Sequence, residues 1–227
     1  MTFEQEKFNN FIKENNIYGF FNKPITLKSG RKSHFYANWR NVVEDVYLTK
    51  KLAEQVIKFS KSNNIDVDTF YGVPEGATKL GIITQFLYAK NSENFEKGSH
   101  VLAMGRAKPK DHGAAKDKFF VGVPKGKVIM IEDVTTTGMS MLKALDELQE
   151  AKINVVAVIS LTNRMELRDD GTSVKHQVEK RNVKFFNMSS ALQMLPIMYN
   201  KLQPGENIGQ EIEKEFNEYG VDKIKLI

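Results

Sequence analysis

The chain reads as an α/β protein, because segments with helical spacing alternate with short apolar runs along most of its length. Two further observations support that class. Runs such as "KVIMIEDV" and "NVVAVISL" are continuously apolar rather than alternating, as expected of strands that helices cover on both faces of a parallel sheet. And 227 residues with 41% hydrophobic content suffice for one full core, with no internal repeat, low-complexity tract or linker to divide it. The expected architecture is a central, mostly parallel sheet flanked by helices.

The elements follow in order. Phe8, Phe11 and Ile12 share one face of an amphipathic first helix. "ITLKSGRKSHFYAN" then reads as two short strands around a Ser-Gly-Arg turn. Beyond it "YLTKKLAEQVIKFSKS" is a helix, "DTFYGV" a strand, "ATKLGIITQFLYAK" a helix and "HVLAMG" a strand. Residues 105–118, "GRAKPKDHGAAKDK", have no apolar periodicity and form an exposed basic loop. "KVIMIEDV" is the next strand, and "GMSMLKALDELQEA" a helix with Met141, Leu145 and Leu148 on one face. The strand "NVVAVISL", a polar helix and the strand "VKFFNM" complete the alternation. From residue 189 the chain is helical with a break at "QPGENIG", and is placed against a sheet edge.

Composition excludes several classes. There is no cysteine, so neither disulfides nor cysteine-ligated metal is possible. The N-terminus lacks a basic then apolar leader pattern, and no segment approaches the ~18 apolar residues of a membrane span; the expected compartment is cytoplasmic. The net charge of +5, 33 basic against 28 acidic residues, is interspersed over the surface except in the basic loop, which suits an anionic ligand or nucleic acid.

The most informative stretch is "VIMIEDVTTTGMS", residues 128–140. In open parallel sheets ligands bind beyond the carboxyl ends of the strands, where loops lead into helix N-termini. Here Thr135, Thr136 and Thr137 supply hydroxyls and backbone N–H groups, Gly138 permits close approach, and the following helix adds the positive end of its dipole. That is a phosphate cradle, although neither the P-loop nor the dinucleotide fingerprint occurs. Glu132 and Asp133, immediately upstream, are acceptors suited to vicinal ribose hydroxyls. A ribose carrying a 5′-phosphate satisfies both halves; strand-end acids followed by a helix cap are the alternative.

These residues resemble the phosphoribosylpyrophosphate motif of type I phosphoribosyltransferases. Further segments are similar to orotate phosphoribosyltransferases, in the order of that family: "LKSGRKSHFY" resembles the N-terminal hood, "GVPEGATKLG" the pyrophosphate loop, "RAKPKDHG" the mobile catalytic loop, and "SLTNRMEL" the strand end that supplies an arginine to orotate. The resemblance spans about residues 3–188. It implies one phosphoribosyltransferase domain: residues 1–45 as first helix and hood, 46–188 as α/β core with a mobile loop at 105–120, and 189–227 as a helical extension. Two positions depart from the family pattern. Arg106 is followed by Ala107 where many members have a second basic residue, leaving Lys108 and Lys110 to supply charge. Glu75 and Gly76 stand where many have an aromatic–lysine pair, with Lys79 as the substitute.

The resemblance implies transfer of ribose 5-phosphate from phosphoribosylpyrophosphate to orotate, giving orotidine 5′-monophosphate and pyrophosphate in UMP biosynthesis. Mg²⁺ would be the cofactor, held mainly by substrate oxygens rather than by protein. Arg106, Lys108, Lys110 and His112 would stabilise the departing pyrophosphate, Asp133 with Glu132 would hold the ribose, and Thr135, Thr136, Thr137 and Gly138 the 5′-phosphate. Lys28 and Arg164 would face orotate, and Tyr36 is either a base-stacking aromatic there or a core residue. The implied assembly is a homodimer in which each mobile loop serves the other subunit's site, without nucleic-acid or membrane partners. A purine or uracil phosphoribosyltransferase would share Glu132 and Asp133 without needing Lys28 or Arg164, and a non-catalytic regulator of the same fold would use the basic surface to bind nucleic acid.

Overall fold

The computed structural model describes residues 2–106, 108, 110 and 118–227. Helix α1 (Gln5–Glu14) precedes an antiparallel hairpin of β1 (Tyr18–Thr26) and β2 (Lys32–Ala37). Then come α2 (Arg40–Glu44), α3 (Val46–Ser62), β3 (Thr69–Gly72), α4 (Thr78–Lys90), β4 (Met104–Gly105), β5 (Phe120–Val121), β6 (Lys127–Thr135) and α5 (Met139–Glu150). The chain continues through β7 (Asn154–Asn163), α6 (Val174–Glu179), β8 (Lys184–Ser190), α7 (Ala191–Leu202) and α8 (Glu206–Tyr219).

Strands β3, β6, β7 and β8 form a parallel sheet in the order β3-β6-β7-β8. Because side chains alternate along a strand, β6 sends Val128 and Met130 to one face and Ile129 and Ile131 to the other. Helices α5 and α6 cover the first face through Met141, Leu145, Leu148, Val174 and Val178. On the second, α1, α3, α4, α7 and α8 contribute Phe8, Ile12, Leu52, Val56, Leu80, Met194, Met198, Ile212 and Phe216. All these side chains are buried, which is why the central strands read as uninterrupted apolar runs.

Three expectations change. "HVLAMG" does not join the central sheet; only Met104 and Gly105 are strand, paired antiparallel with β5. The outer edge of β3 is satisfied instead by a side chain: Gln85 Oε1 accepts from Phe70 N at 2.8 Å, and its Nε2 donates to Val101 O at 3.0 Å. A buried glutamine thus takes over hydrogen bonds a fifth strand would have made. The short helix α2 was not expected, and β1 begins at Tyr18, well before Ile25, where the stretch read as two short strands starts. Finally, the C-terminal extension packs beneath the sheet face and the hairpin rather than along an edge: Phe216 stacks on Phe35 of β2 at 6.1 Å between ring centroids. Among the described residues no helix is long and apolar enough to cross a membrane.

Candidate active site

The site lies where β3 and β6 end. At the end of β6 the apolar run gives way to Glu132 and Asp133, and alternation sorts their neighbours. Thr135 is buried, its Oγ1 donating to Ser160 Oγ of β7 at 2.8 Å. Glu132, Val134, Thr136, Thr137, Gly138 and Ser140 instead line one recess. Gly138 has φ +70° and leads directly into α5; a Cβ there would lie 2.8 Å from Val174 Cγ1, so the turn demands glycine both for its backbone angle and for its closeness to α6.

A wider cleft continues from this recess, lined by Leu27, Lys28, Tyr36, Arg40, Pro74, Glu75, Gly76 and Asp133. One wall is the hairpin turn, where Lys28 Nζ reaches across to Ser140 Oγ at 2.8 Å. The opposite wall is the loop after β3. Gly76 lies so close to Asp133 that a Cβ would meet Oδ2 at 2.3 Å, and Asp133 Oδ1 accepts from Val134 N at 2.9 Å. The acid is thereby braced on both sides.

Glu132 is electrostatically unusual. Burial pushes its carboxyl well above the ordinary range, the neighbouring Asp133 charge adds to the effect, and Lys28 opposes it. Its Oε2 is buried without a hydrogen-bond partner among the described residues. A buried acceptor left open at the junction of two recesses is a place for a ligand's hydroxyl or a ligand-borne cation.

No family model matches the sequence. A curated orotate phosphoribosyltransferase of Bradyrhizobium diazoefficiens is 36% identical over 152 residues, covering 63% of this chain and 74% of that protein. The chain belongs to the orotate phosphoribosyltransferase family. A second family member, from Agathobacter rectalis, is 29% identical over 227 residues, 95% of this chain and 97% of its own length. The fold agrees: the crystal structure of the Francisella tularensis orotate phosphoribosyltransferase superimposes with a TM-score of 0.66 at 19% identity, covering 94% of this chain and 99% of that one. The type I phosphoribosyltransferase fold and a pentosyltransferase activity are therefore properties of this enzyme, and the readings as a purine or uracil enzyme or a nucleic-acid regulator fall away.

Within that family frame, Lys28, Tyr36, Glu132, Asp133, Thr136, Thr137 and Gly138 converge on the continuous cleft. Thr135 does not, because its alternation phase points it into the sheet. Arg164 is the larger correction. Its guanidinium does not line the cleft but is buried under the hairpin, bonded to Glu166 at 2.6 Å, Glu215 at 2.7 Å, Ser33 Oγ at 3.0 Å and Phe35 O at 3.2 Å. Glu215, on α8 and outside the compared motifs, draws it there. Lys79 also misses the cleft: its Nζ approaches Val43 O at 3.5 Å on the outer side of α4. Arg106, Lys108 and Lys110 lie on the arms of the β4–β5 ribbon, closed by Arg106 N to Phe119 O and Lys110 N to Lys118 O at 2.8 and 3.0 Å. They do not line this chain's own cleft. His112 and Ala107 lie outside the described residues.

Sequence reasoning missed Arg40 and Ser140. Ser140 stood inside the quoted motif, the second residue of α5, and only its reach to Lys28 singles it out. Arg40 follows Trp39, and no local pattern marked it; it lines the cleft as the first residue of α2.

Proposed function

We propose that the cleft binds phosphoribosylpyrophosphate and orotate and forms orotidine 5′-monophosphate and pyrophosphate, a step of UMP biosynthesis. The observation that carries this reading is the continuity of a threonine–glycine turn, two adjacent acids and the Lys28 hairpin along one cleft. The 5′-phosphate takes the N–H groups and hydroxyls of Thr136, Thr137 and Gly138 at the start of α5. Asp133 and the open Oε2 of Glu132 accept from the ribose hydroxyls. Orotate lies under the hairpin, with Lys28 beside its anionic groups and Tyr36 beside its ring.

As the bond from C1′ to the pyrophosphate lengthens, positive charge develops on the ribose and negative charge on the leaving group, so the protein's contribution is chiefly electrostatic. Glu132 and Asp133 are placed to face the former. Arg40 is the cation this chain holds beside Glu75 and Gly76 for the latter, taking the place that Lys79 does not reach. Arg106, Lys108, Lys110 and His112 supply further positive charge from a partner subunit in a homodimer, the arrangement that the family resemblance implies. Arg164 serves orotate indirectly, by holding β2 from below next to Tyr36.

The fit for Mg²⁺ is partial in a specific way. Glu132 offers an unpartnered acceptor next to Asp133, and among the described residues no three His, Cys, Asp or Glu side chains converge; substrate oxygens would supply most of the shell, as the family resemblance implies. Glu132 and Asp133 would hold such an ion beside the substrate, where it would supply Lewis-acid stabilisation of the leaving pyrophosphate. The cytoplasm is the proposed compartment, since multiply phosphorylated substrates do not cross membranes unaided.

The deciding assay is the loss of orotate absorbance with phosphoribosylpyrophosphate and Mg²⁺, with adenine, hypoxanthine and uracil as controls. Turnover of orotate alone is expected; equal turnover of a control base would overturn the assignment. Arg40→Ala should then raise the KM for phosphoribosylpyrophosphate about tenfold, as loss of one charge-assisted contact does, and leave that for orotate within about twofold.

A further inference from the structure

We infer that Arg168 is a positioning residue for the phosphate turn, acting from behind it. Its guanidinium donates through Nη1 to the carbonyl of Thr137. Because a peptide is planar, holding that carbonyl fixes the orientation of the Gly138 N–H on the other side of the same peptide bond. Gly138 has no side chain to hold the turn, and without a Cβ its backbone has more freedom than any other residue type, including access to the positive φ it adopts. Something external must select one orientation.

Arg168 is well placed to do so and poorly placed to do anything else at the site. It lines a hollow between α5 and α6, with Met139, Leu142, Gln177 and Arg181, and does not line the cleft. Its own backbone is anchored: Arg168 N donates to Thr172 O at 2.9 Å, its carbonyl accepts from Gly171 N at 2.9 Å, and the preceding Leu167 N donates to Tyr219 O at 2.6 Å. Asp170 forms an ion pair with the guanidinium Nε at 3.5 Å, without a hydrogen bond to it. The anchored arginine therefore transmits a fixed geometry to the turn, and its positive charge lies behind the place where a phosphate's negative charge would sit.

This inference rests on reading Thr136, Thr137 and Gly138 as the 5′-phosphate turn, and the experiment separates the two. Binding of ribose 5-phosphate and of pyrophosphate is measured by calorimetry for the wild type, Arg168→Ala and Arg168→Lys, with thermal midpoints alongside. A wild type that binds no ribose 5-phosphate refutes the reading of the turn itself. If the wild type binds it, Arg168→Ala should weaken ribose 5-phosphate about tenfold, the effect of one charge-assisted hydrogen bond, leave pyrophosphate within about twofold and keep the thermal midpoint. Arg168→Lys should recover most of the loss. Unchanged ribose 5-phosphate affinity in Arg168→Ala, or an equal loss for both ligands, would overturn the inference.

Discussion

Arg164 and Glu215 show how much a single buried pair decides. Two arginines and two glutamates interlock under the hairpin: Arg164 bonds Glu166 and Glu215, and Arg31 bonds Glu166 at 3.1 Å. Removing one member of a buried ionic network leaves uncompensated charge. Arg164→Ala should therefore lower stability by about 3–5 kcal/mol, measured by urea unfolding, before any change in orotate use is interpreted. Glu215 titrates in the same network. Burial raises its carboxyl to about 7, Arg164 opposes the rise and Glu166 adds to it. The native state thus holds a proton between pH ~4.5 and 7 that the unfolded chain releases, so this contribution to stability is complete below pH ~4.5 and is lost as pH rises through 7. Glu215→Gln should flatten the fall in unfolding free energy between pH 5 and 7.5 by on the order of 1–3 kcal/mol relative to the wild type. Identical slopes would show that Glu215 is already ionised in the native protein.

At the scale of elements, the loop after β3 is held by backbone-to-backbone packing. A Cβ at Gly81 of α4 would lie 2.3 Å from Gly72 N, and one at Gly72 would lie 2.0 Å from Ala77 O. Alanine favours a helix by about 1 kcal/mol over glycine, yet here the added methyl meets main chain that cannot rotate away. Overpacking should win, so Gly81→Ala is expected to cost about 1–3 kcal/mol in chemical denaturation, and to lower turnover by moving Glu75 and Gly76 away from Asp133. A stabilised Gly81→Ala protein would show that α4 can slide off β3. The same element level explains the misplaced strand: Gln85, an unremarkable polar residue within a helix, closes the edge of β3 that an additional strand would have occupied.

For the whole molecule, the proposal to test is that the loop cations serve a site shared between subunits. Arg106, Lys108 and Lys110 stand apart from their own cleft, and two-fold pairing would let each ribbon cover the other's phosphate site. Lys110→Ala and Asp133→Asn, each nearly inactive alone, should therefore complement when subunits exchange. About half of randomly formed dimers are mixed and one of their two sites is intact, so about a quarter of wild-type activity should return. Exchange proven by mass spectrometry without recovered activity would mean that the ribbon serves its own chain.

What the sequence by itself determined was the α/β class, the strand that carries the acids, the threonine–glycine turn into α5 and the hairpin that carries Lys28 and Tyr36. Each of these rests on periodicity or on contiguous motifs, where neighbours in the chain are also neighbours in space. Tertiary structure alone decided the rest. Thr135 turned away from its two sister threonines because strand alternation runs one residue further than the motif suggested. Arg164 was drawn under the hairpin by Glu215, 51 residues further along the chain, and Arg40 and Arg168 gained their places from α2 and from the loop before α6. A charged side chain of that length goes where its partner is, and the partner's position is a property of how helices dock on the sheet, which no local pattern encodes.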